Sequence, residues 1–173
     1  MIDSKKYFDC LKDNEIDFFS GVPDSLLKEL CYCITDNSNE NEHVICANEG
    51  NSIGLSIGYN LATGKIPLVY LQNSGLGNII NPYLSLSHDS VFSIPILLII
   101  GWRGQPGIKD EPQHEIQGKI SKELLEILEI EHEILLKDSD KAIKQTKRII
   151  NKIKKNQKPI AILVEKNSFT NYK

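Results

Sequence analysis

Along this chain, short runs of apolar residues alternate with amphipathic segments. The segments 94–100 and Ile160–Val164 are almost wholly aliphatic, which is typical of strands buried on both faces of a sheet. Four shorter apolar segments bounded by polar residues predict further strands, at 16–22, 44–47, 66–71 and 133–136. Strands that alternate with helices predict an α/β fold, namely a three-layer αβα domain with a mostly parallel sheet.

Helices are predicted between these strands. Apolar positions at helical spacing indicate helices at 4–14, 24–34, 49–62, 76–87, 120–128 and 138–155. We expect Ser4 and Asp24 to cap the first two of these helices and Gly64 to end the third. The chain shows neither an internal repeat nor a linker, so the sequence predicts one domain over residues 1–173.

Polar or Gly-rich segments follow four of the predicted strands. In an open parallel sheet, ligands bind beyond the carboxyl ends of the strands, so we expect a site along this edge. The four segments are Gly21-Val22-Pro23-Asp24, Asn48-Glu49-Gly50-Asn51, Gln72-Asn73-Ser74-Gly75 and Gly101-Trp102-Arg103-Gly104.

Composition narrows the classes of function. Among 173 residues, 40% are hydrophobic and 25% charged, with a net charge of −3; this is ordinary for a globular domain and lacks the basic excess of a nucleic-acid-binding protein. A polar start and short apolar runs predict neither a secretory segment nor a membrane span, so we expect a cytoplasmic location. The cysteines lack metal-site spacing, and we expect reduced thiols and no metal site on this chain.

Glu49 is the leading candidate for chemistry, and its position allows two interpretations. It follows a predicted strand and opens a predicted helix, where a carboxylate interacts favourably with the helix dipole. The same position at the ligand edge suits a carboxylate that exchanges a proton. In the helix that follows, Gly50, Gly54 and Gly58 share one face, which suits either close helix packing or a subunit interface.

Two further segments follow predicted strands and contain possible ligand-binding residues. The sequence Gly75-Leu76-Gly77-Asn78-Ile79-Ile80 begins like a dinucleotide fingerprint but has Ile80 where the third Gly belongs, so a nucleotide-binding interpretation is weak. A long polar loop is predicted over 101–117, and loops of this length are often functional. It contains Arg103 and Lys109 as cations and His114 as a group able to titrate near neutral pH.

Four motifs stand in a familiar order and spacing. They are Gly21-Val22-Pro23-Asp24-Ser25, Asn48-Glu49-Gly50-Asn51, Gln72-Asn73-Ser74-Gly75-Leu76-Gly77-Asn78, and the loop from Gly101-Trp102-Arg103-Gly104 through Lys109-Asp110-Glu111-Pro112-Gln113-His114. Over nearly its whole length the chain resembles the amino-terminal half of the phosphonopyruvate decarboxylases, and it is similar, more distantly, to the sulfopyruvate decarboxylase alpha subunit. The resemblance implies the pyrimidine-binding domain of a thiamine diphosphate enzyme that converts 3-phosphonopyruvate to phosphonoacetaldehyde and carbon dioxide in phosphonate biosynthesis.

The resemblance also implies roles for individual residues. In such enzymes a Glu at the position of Glu49 hydrogen-bonds the aminopyrimidine ring and so activates the cofactor, which serves as electron sink. The implied catalytic residues are Glu49, His114 and Asp24. The implied cofactor contacts are Glu49, Asn73, Ser74, Gly75 and Asn78. The implied substrate contacts are Arg103, Lys109 and Asn73.

A partner is implied as well. In this family a second domain with a Gly-Asp-Gly segment binds the diphosphate and Mg²⁺, and no such segment occurs in these 173 residues. We therefore expect a diphosphate-binding domain or beta subunit as partner, in a homo- or hetero-oligomer, with a small 2-oxoacid as substrate. Two alternatives remain open, a sulfopyruvate decarboxylase alpha subunit and a non-catalytic regulatory module of the same fold, although the retained Glu49 argues against the second.

Overall fold

A six-stranded, fully parallel sheet forms the centre of the protein, as seen in a computed structural model that describes residues 1–172. The strands are β1 Phe19–Gly21, β2 His43–Ile45, β3 Leu68–Gln72, β4 Leu97–Gly101, β5 Glu131–Ile134 and β6 Ile160–Val164. They lie side by side in the order β2-β1-β3-β4-β6-β5. The predicted parallel sheet is therefore confirmed, and β3, β4 and β6, its aliphatic strands, occupy interior positions.

Helices cover both faces of this sheet, which confirms the three-layer prediction. They are α1 Ser4–Asp13, α2 Lys28–Asn37, α3 Glu49–Thr63, α4 Leu76–Pro82, α5 Pro112–Ile127 and α6 Ser139–Asn156. One core packs α1, α2 and α6 against the sheet, and the other packs α3, α4 and α5 against the opposite face. Between residues 1 and 172, no helix has both the length and the apolar character that a bilayer crossing demands. All four cysteines are free thiols, as expected.

The helix ends differ from the predictions at three places. Asp3, not Ser4, caps α1, because its carboxylate accepts a hydrogen bond from Lys6 N at 3.0 Å. Asp24 does not cap α2; that helix begins only at Lys28, and the Asp24 side chain binds the turn before it. The predicted loop 101–117 is too long, because α5 already begins at Pro112. Proline suits a first helical position, where its missing N–H is not needed.

The order of the strands places a topological switch at the centre of the carboxyl edge. From β1 the chain moves outward to β2 and then returns across β1 to form β3. The segment after β1 therefore leads to one face of the sheet, and the segment after β3 leads to the other. In open α/β sheets the crevice at such a switch is the usual ligand position. The predicted site residues follow β1, β2, β3 and β4, and all four strands end at this edge.

Candidate functional site

Glu49 is the first residue of α3 and lies buried at the carboxyl edge, with 8% of its surface exposed. The helix starts there because Asn48 caps it, accepting a hydrogen bond from Asn51 N at 2.9 Å. The Asn78 side-chain amide donates to Glu49 Oε2 at 2.7 Å. Within residues 1–172 the Glu49 carboxylate forms no ion pair, so this amide is its single side-chain donor. The structure thus brings together two of the residues assigned from the sequence.

The backbone at Gly75 lies directly against the Glu49 carboxylate. A Cβ at position 75 would lie 2.5 Å from Glu49 Cγ and would overlap with Oε1. Only glycine leaves room for the carboxylate here. Residues Asn73–Gly75 form a single 3₁₀ turn that leads into α4, and this turn delivers both Gly75 and Asn78 to Glu49.

Asp24 is buried between the ends of β1, β3 and β4, with 5% of its surface exposed. Its Oδ1 accepts from Gln72 Nε2 at 2.7 Å, and its Oδ2 accepts from Leu26 N at 3.0 Å. A Cβ at Gly101 would lie 3.0 Å from Asp24 Cγ. The Asp24–Gln72 bond joins the segment after β1 to the last residue of β3, so it spans the topological switch.

Asn73 and Ser74 are placed differently from Gly75 and Asn78. Asn73 is 1% exposed, and both of its amide hydrogens are bonded within the chain, to Arg103 O at 2.8 Å and to Ser121 Oγ at 2.9 Å. Its carbonyl oxygen accepts from Arg103 N at 3.0 Å. Asn73 therefore fixes the backbone after β4. Ser74 is exposed and donates to Gln72 Oε1 at 2.7 Å.

Arg103 connects the segment after β4 to the segment after β1. Its Nη1 donates to Ser25 Oγ at 2.7 Å, and its Nη2 donates to Asp110 Oδ1 at 2.5 Å. Its Nε is buried without a hydrogen-bond partner in the part of the chain that is described. A guanidinium has five N–H donors, so this one retains donors for a further acceptor.

The Asp110 carboxylate accepts hydrogen bonds from several residues of the loop. Besides Arg103, it accepts from Gly104 N at 2.8 Å, from Glu111 N at 2.8 Å and from His114 Nδ1 at 3.0 Å. Burial disfavours the ionised form, but these hydrogen bonds outweigh it and hold the pKa of the Asp110 carboxyl well below its usual range. His114 and Asp110 are four residues apart, with 15% and 14% of their side chains exposed.

Two glycines let the loop pack tightly on α5. Gly104 has a φ of +65°, which side chains rarely tolerate, and a Cβ there would overlap with the His114 carbonyl. A Cβ at Gly118 would overlap with the Gly104 carbonyl and lie 2.7 Å from Arg103 O. Trp102 Nε1 also donates to Gly118 O at 2.9 Å. The start of the loop, Trp102 to Gly104, is therefore held closely against α5.

Lys109 stands apart from the other predicted residues. It is exposed and lines a shallow cleft with the loop tip and Lys119 on α5. Among residues 1–172 it forms no hydrogen bond or ion pair, whereas Arg103 lies on the inner side of the loop. Lys109 and Arg103 therefore share no hydrogen-bond partner among residues 1–172.

Two side-chain assemblies result at the carboxyl edge. The first contains Glu49, Gly75 and Asn78. The second contains Arg103, Asp110 and His114, and Asn73 links it to the 3₁₀ turn of the first. Gln72 and Ser25, which bind Asp24 and Arg103, were not predicted as site residues, and no spacing within their own segments marks them. Asp110 could be expected from the sequence to neutralise the loop cations, and it does pair with Arg103.

The predicted glycine face of α3 is open except at its first residue. A Cβ at Gly50 would lie 2.9 Å from Asn78 O, whereas a Cβ at Gly54 or Gly58 would meet nothing within 4 Å. Close packing inside the chain is therefore wrong for Gly54 and Gly58. Leu55 on the same helix is 41% exposed.

Comparison with known proteins gives consistent matches. The sequence model of the thiamine pyrophosphate enzymes, N-terminal TPP binding domain, matches residues 4–125. The sulfopyruvate decarboxylase subunit alpha of Methanococcus maripaludis is 34% identical over 163 residues, which cover 94% of this chain and 93% of that protein. The phosphonopyruvate decarboxylase of Streptomyces viridochromogenes is 36% identical over 121 residues, which cover 70% of this chain and 30% of that protein.

The lengths of these matches differ between the two groups of relatives. The chain spans less than a third of the phosphonopyruvate decarboxylases from Streptomyces viridochromogenes and Streptomyces hygroscopicus, at 30% and 28% of their lengths. The family match covers well over half of the chain and includes the strand ends that carry Asp24, Glu49, Gly75 and Arg103. The chain therefore belongs to the thiamine pyrophosphate enzymes and contains their N-terminal TPP-binding domain.

Proposed function

We propose that this chain is the pyrimidine-binding half of a thiamine diphosphate-dependent decarboxylase that acts on 3-phosphonopyruvate together with a diphosphate-binding partner. The observation that carries the proposal is the Glu49 carboxylate, which is buried, has no cationic partner within residues 1–172, and faces the bare backbone of Gly75. A carboxylate in this position is available to hydrogen-bond a ligand rather than to neutralise a neighbouring charge.

The residues around Glu49 fit an aminopyrimidine ring. Such a ring is flat and needs a hydrogen-bond partner for a ring nitrogen. Glu49 supplies that partner, Gly75 leaves the adjacent backbone without a side chain, and Asn78 holds one carboxylate oxygen so that the other is free. When bound, thiamine diphosphate supplies an electron sink for the carboxylate that is lost. Glu49 would exchange a proton with the ring through Oε1.

The diphosphate and Mg²⁺ would be held elsewhere. These 173 residues contain no Gly-Asp-Gly segment. The one group of side chains with metal-ligand spacing in residues 1–172, His88, Asp89 and Glu129, belongs to segments that precede the amino ends of β4 and β5, away from Glu49. We therefore assign both ligands to a diphosphate-binding domain or beta subunit.

The reaction requires one proton to be delivered. The bond between C1 and C2 of the oxoacid breaks, carbon dioxide leaves, and the electron pair that remains takes up a proton to give the aldehyde. The proposed donor is the protonated imidazolium form of His114, which would deliver its Nε2 proton, because its Nδ1 is already bonded to Asp110. Asp24 is the alternative donor, although both of its oxygens accept hydrogen bonds within the chain.

Arg103 is the proposed contact for the phosphonate. Its planar group can give charge-assisted hydrogen bonds to an oxyanion, and its remaining N–H groups are uncommitted. Asp110 neutralises its charge, however. A phosphonate, like a phosphate monoester, carries up to two negative charges near neutral pH, so a second cation such as Lys109 would be needed.

A sulfopyruvate decarboxylase alpha subunit is the second candidate. A sulfonate carries a single negative charge, so it needs less positive charge in the site than a phosphonate does. Arg103, whose charge is neutralised by Asp110, would suit it better. The relative named sulfopyruvate decarboxylase subunit alpha also matches this chain over 93% of its own length, and its name supports a separate partner subunit.

The deciding experiment is an assay of the chain combined with the diphosphate-binding chain of the same organism, with thiamine diphosphate and Mg²⁺. Formation of aldehyde is measured from 3-phosphonopyruvate, 3-sulfopyruvate and pyruvate, with Glu49→Gln as the inactive control. We expect kcat/KM to be highest for phosphonopyruvate. A preference for sulfopyruvate would select the second candidate, and absence of turnover on all three oxoacids would overturn the decarboxylase proposal.

A further inference from the structure

The Asp110 carboxylate binds both Arg103 and His114, the two loop residues with a proposed role in the reaction. It accepts two backbone hydrogen bonds, from Gly104 N and Glu111 N, which fold the loop around it. It also accepts two side-chain hydrogen bonds, from Arg103 and His114. Four donors on one carboxylate use most of its lone-pair capacity, so the position of Asp110 determines the positions of both side chains.

For His114 the consequence is a defined tautomer. An ionised carboxylate only accepts hydrogen bonds, so the proton of a neutral His114 ring must lie on Nδ1, which is 3.0 Å from Asp110 Oδ1. The other nitrogen, Nε2, then carries a lone pair, and it forms no hydrogen bond with residues 1–172. The hydrogen bond at one ring nitrogen thus decides what the other nitrogen can do.

For Arg103 the consequence is a fixed orientation. Its Nη2 is held by Asp110 at 2.5 Å and its Nη1 by Ser25 at 2.7 Å. Two anchors from different segments of the carboxyl edge restrict a side chain that otherwise has many rotamers. The guanidinium therefore keeps one orientation.

We propose that Asp110 is a positioning residue that couples Arg103 and His114, so that the group proposed to bind the substrate's anionic end and the group proposed to deliver the proton are held in one fixed arrangement. The role in turnover rests on the decarboxylase function proposed above. The effect on the His114 tautomer does not, because it follows from the hydrogen bonds of this chain alone.

The test has one arm that does not depend on activity. The full chain is labelled with ¹⁵N-histidine, and the tautomer of His114 is determined by long-range ¹H–¹⁵N correlation at a pH where the ring is neutral. In the unaltered chain we expect the Nδ1–H form. An Asn at position 110 would keep an oxygen at the Oδ1 position, where Arg103, Glu111 N and His114 all bind, and turn its NH₂ towards Gly104 N. The tautomer is therefore tested with Asp110→Ala, in which Nδ1 loses its acceptor and we expect His114 to shift to the Nε2–H form that free imidazoles prefer.

The second arm is kinetic and uses the complete enzyme. We expect Asp110→Asn to lower kcat and to raise KM for the anionic oxoacid, each by roughly tenfold, the effect of losing one charge-assisted contact. Glu111→Gln is the matched control, because it removes the same charge one residue away and its exposed side chain forms no hydrogen bond within residues 1–172. If Asp110→Asn lacks a native circular dichroism spectrum, Asp110→Ala is measured in its place.

The outcomes separate this inference from the proposed function. A folded Asp110→Ala chain with an unchanged His114 tautomer would overturn the positioning role, as would kinetic losses in Asp110→Asn equal to those of Glu111→Gln. If the unaltered enzyme turns over none of the oxoacids while the tautomer shifts as expected, the positioning of His114 stands and the decarboxylase proposal fails.

Discussion

Replacing Glu49 with Gln separates the two interpretations of this carboxylate. The substitution keeps the size and shape of the side chain, and it removes the proton exchange and the negative charge. If Glu49 activates the cofactor, the exchange of the thiazolium carbon proton in the complete enzyme should slow by at least about a hundredfold, the usual effect of losing an acid–base group. A hundredfold slowing corresponds to about 2.7 kcal/mol.

A purely structural role would have a smaller and different effect. Neutralising Glu49 converts the 2.7 Å bond from Asn78 from a charge-assisted to a neutral hydrogen bond, a loss of about 1 kcal/mol. The interaction with the α3 dipole adds about 0.3–1 kcal/mol, and the lower desolvation cost of the amide partly offsets both. The expected loss of stability is therefore at most about 2 kcal/mol, or roughly 4–8 °C in Tm for a domain of this size.

The two quantities are measured on the same variant. Proton exchange is followed by NMR in deuterated buffer with the complete enzyme, and Tm is measured by calorimetry on the chain. Asp140→Asn is the control, because Asp140 also lies in the first turn of a helix but is exposed. An exchange rate in Glu49→Gln within threefold of the unaltered enzyme would refute the activating role, whatever the change in Tm.

The remaining predictions concern the packing and the loop. Gly75→Ala should slow the same proton exchange by roughly tenfold or more, because its Cβ displaces the Glu49 carboxylate, whereas Gly77→Ala, with open space around its Cβ, should leave the rate unchanged. In steady-state kinetics, Arg103→Lys and Lys109→Ala should each raise KM for phosphonopyruvate relative to pyruvate by roughly tenfold; equal effects on both substrates would exclude a phosphonate contact. Gly118→Ala should destabilise the chain to urea by about 1–3 kcal/mol, since the added methyl group overlaps with the Gly104 carbonyl. The pKa of Asp110 is lowered in the folded state, so its ionised carboxylate should stabilise the unaltered chain relative to Asp110→Asn. This difference in unfolding free energy should be complete above the unfolded Asp pKa of about 3.9 and should be lost as the pH falls through the folded pKa. Urea titrations between about pH 2 and 7 measure the difference, and a value that does not change with pH would contradict the lowered pKa.

Much of the fold could be predicted because its strands bear a strong local signal. The run Ile160–Val164 was predicted at its observed bounds, since a strand buried on both faces must be apolar at every position. Gly64 was also identified correctly as the end of α3, with a φ of +70°. The start of α5 was missed because its first two turns are polar and charged, although Pro112 was a usable signal for a first helical position.

The site was harder to predict, because polar residues at a strand end serve either the fold or a ligand. Glu49, Gly75 and Asn78 were grouped by the family resemblance, and Asn78 and the Gly75 backbone both lie against the Glu49 carboxylate. Asn73 looked like the same kind of residue, but its amide holds the backbone of Arg103. Such a partner lies thirty residues away along the chain, and only the pairing of β3 with β4 brings it close. No spacing rule within one segment could have found it.

The exposed surface near Glu49 leaves room for the partner proposed above. Asn78, which bonds Glu49, is exposed, and further along α3 Gly54 and Gly58 are exposed as well, with no heavy atom within 4 Å of a Cβ at either glycine. A bound aminopyrimidine would thus be covered on one side by the Gly75 backbone and left in water on the other. Proton exchange between a carboxylate and a ring nitrogen is favoured when water is excluded, because electrostatic interactions strengthen in a low dielectric. A diphosphate-binding partner of the kind proposed above, docked on the α3 glycine face, would provide that cover, and it would bring the Gly-Asp-Gly segment that these 173 residues lack. A row of glycines permits the close approach of another backbone. Docking of a partner would therefore explain why glycines occupy the exposed face of α3, which packing within this chain does not explain.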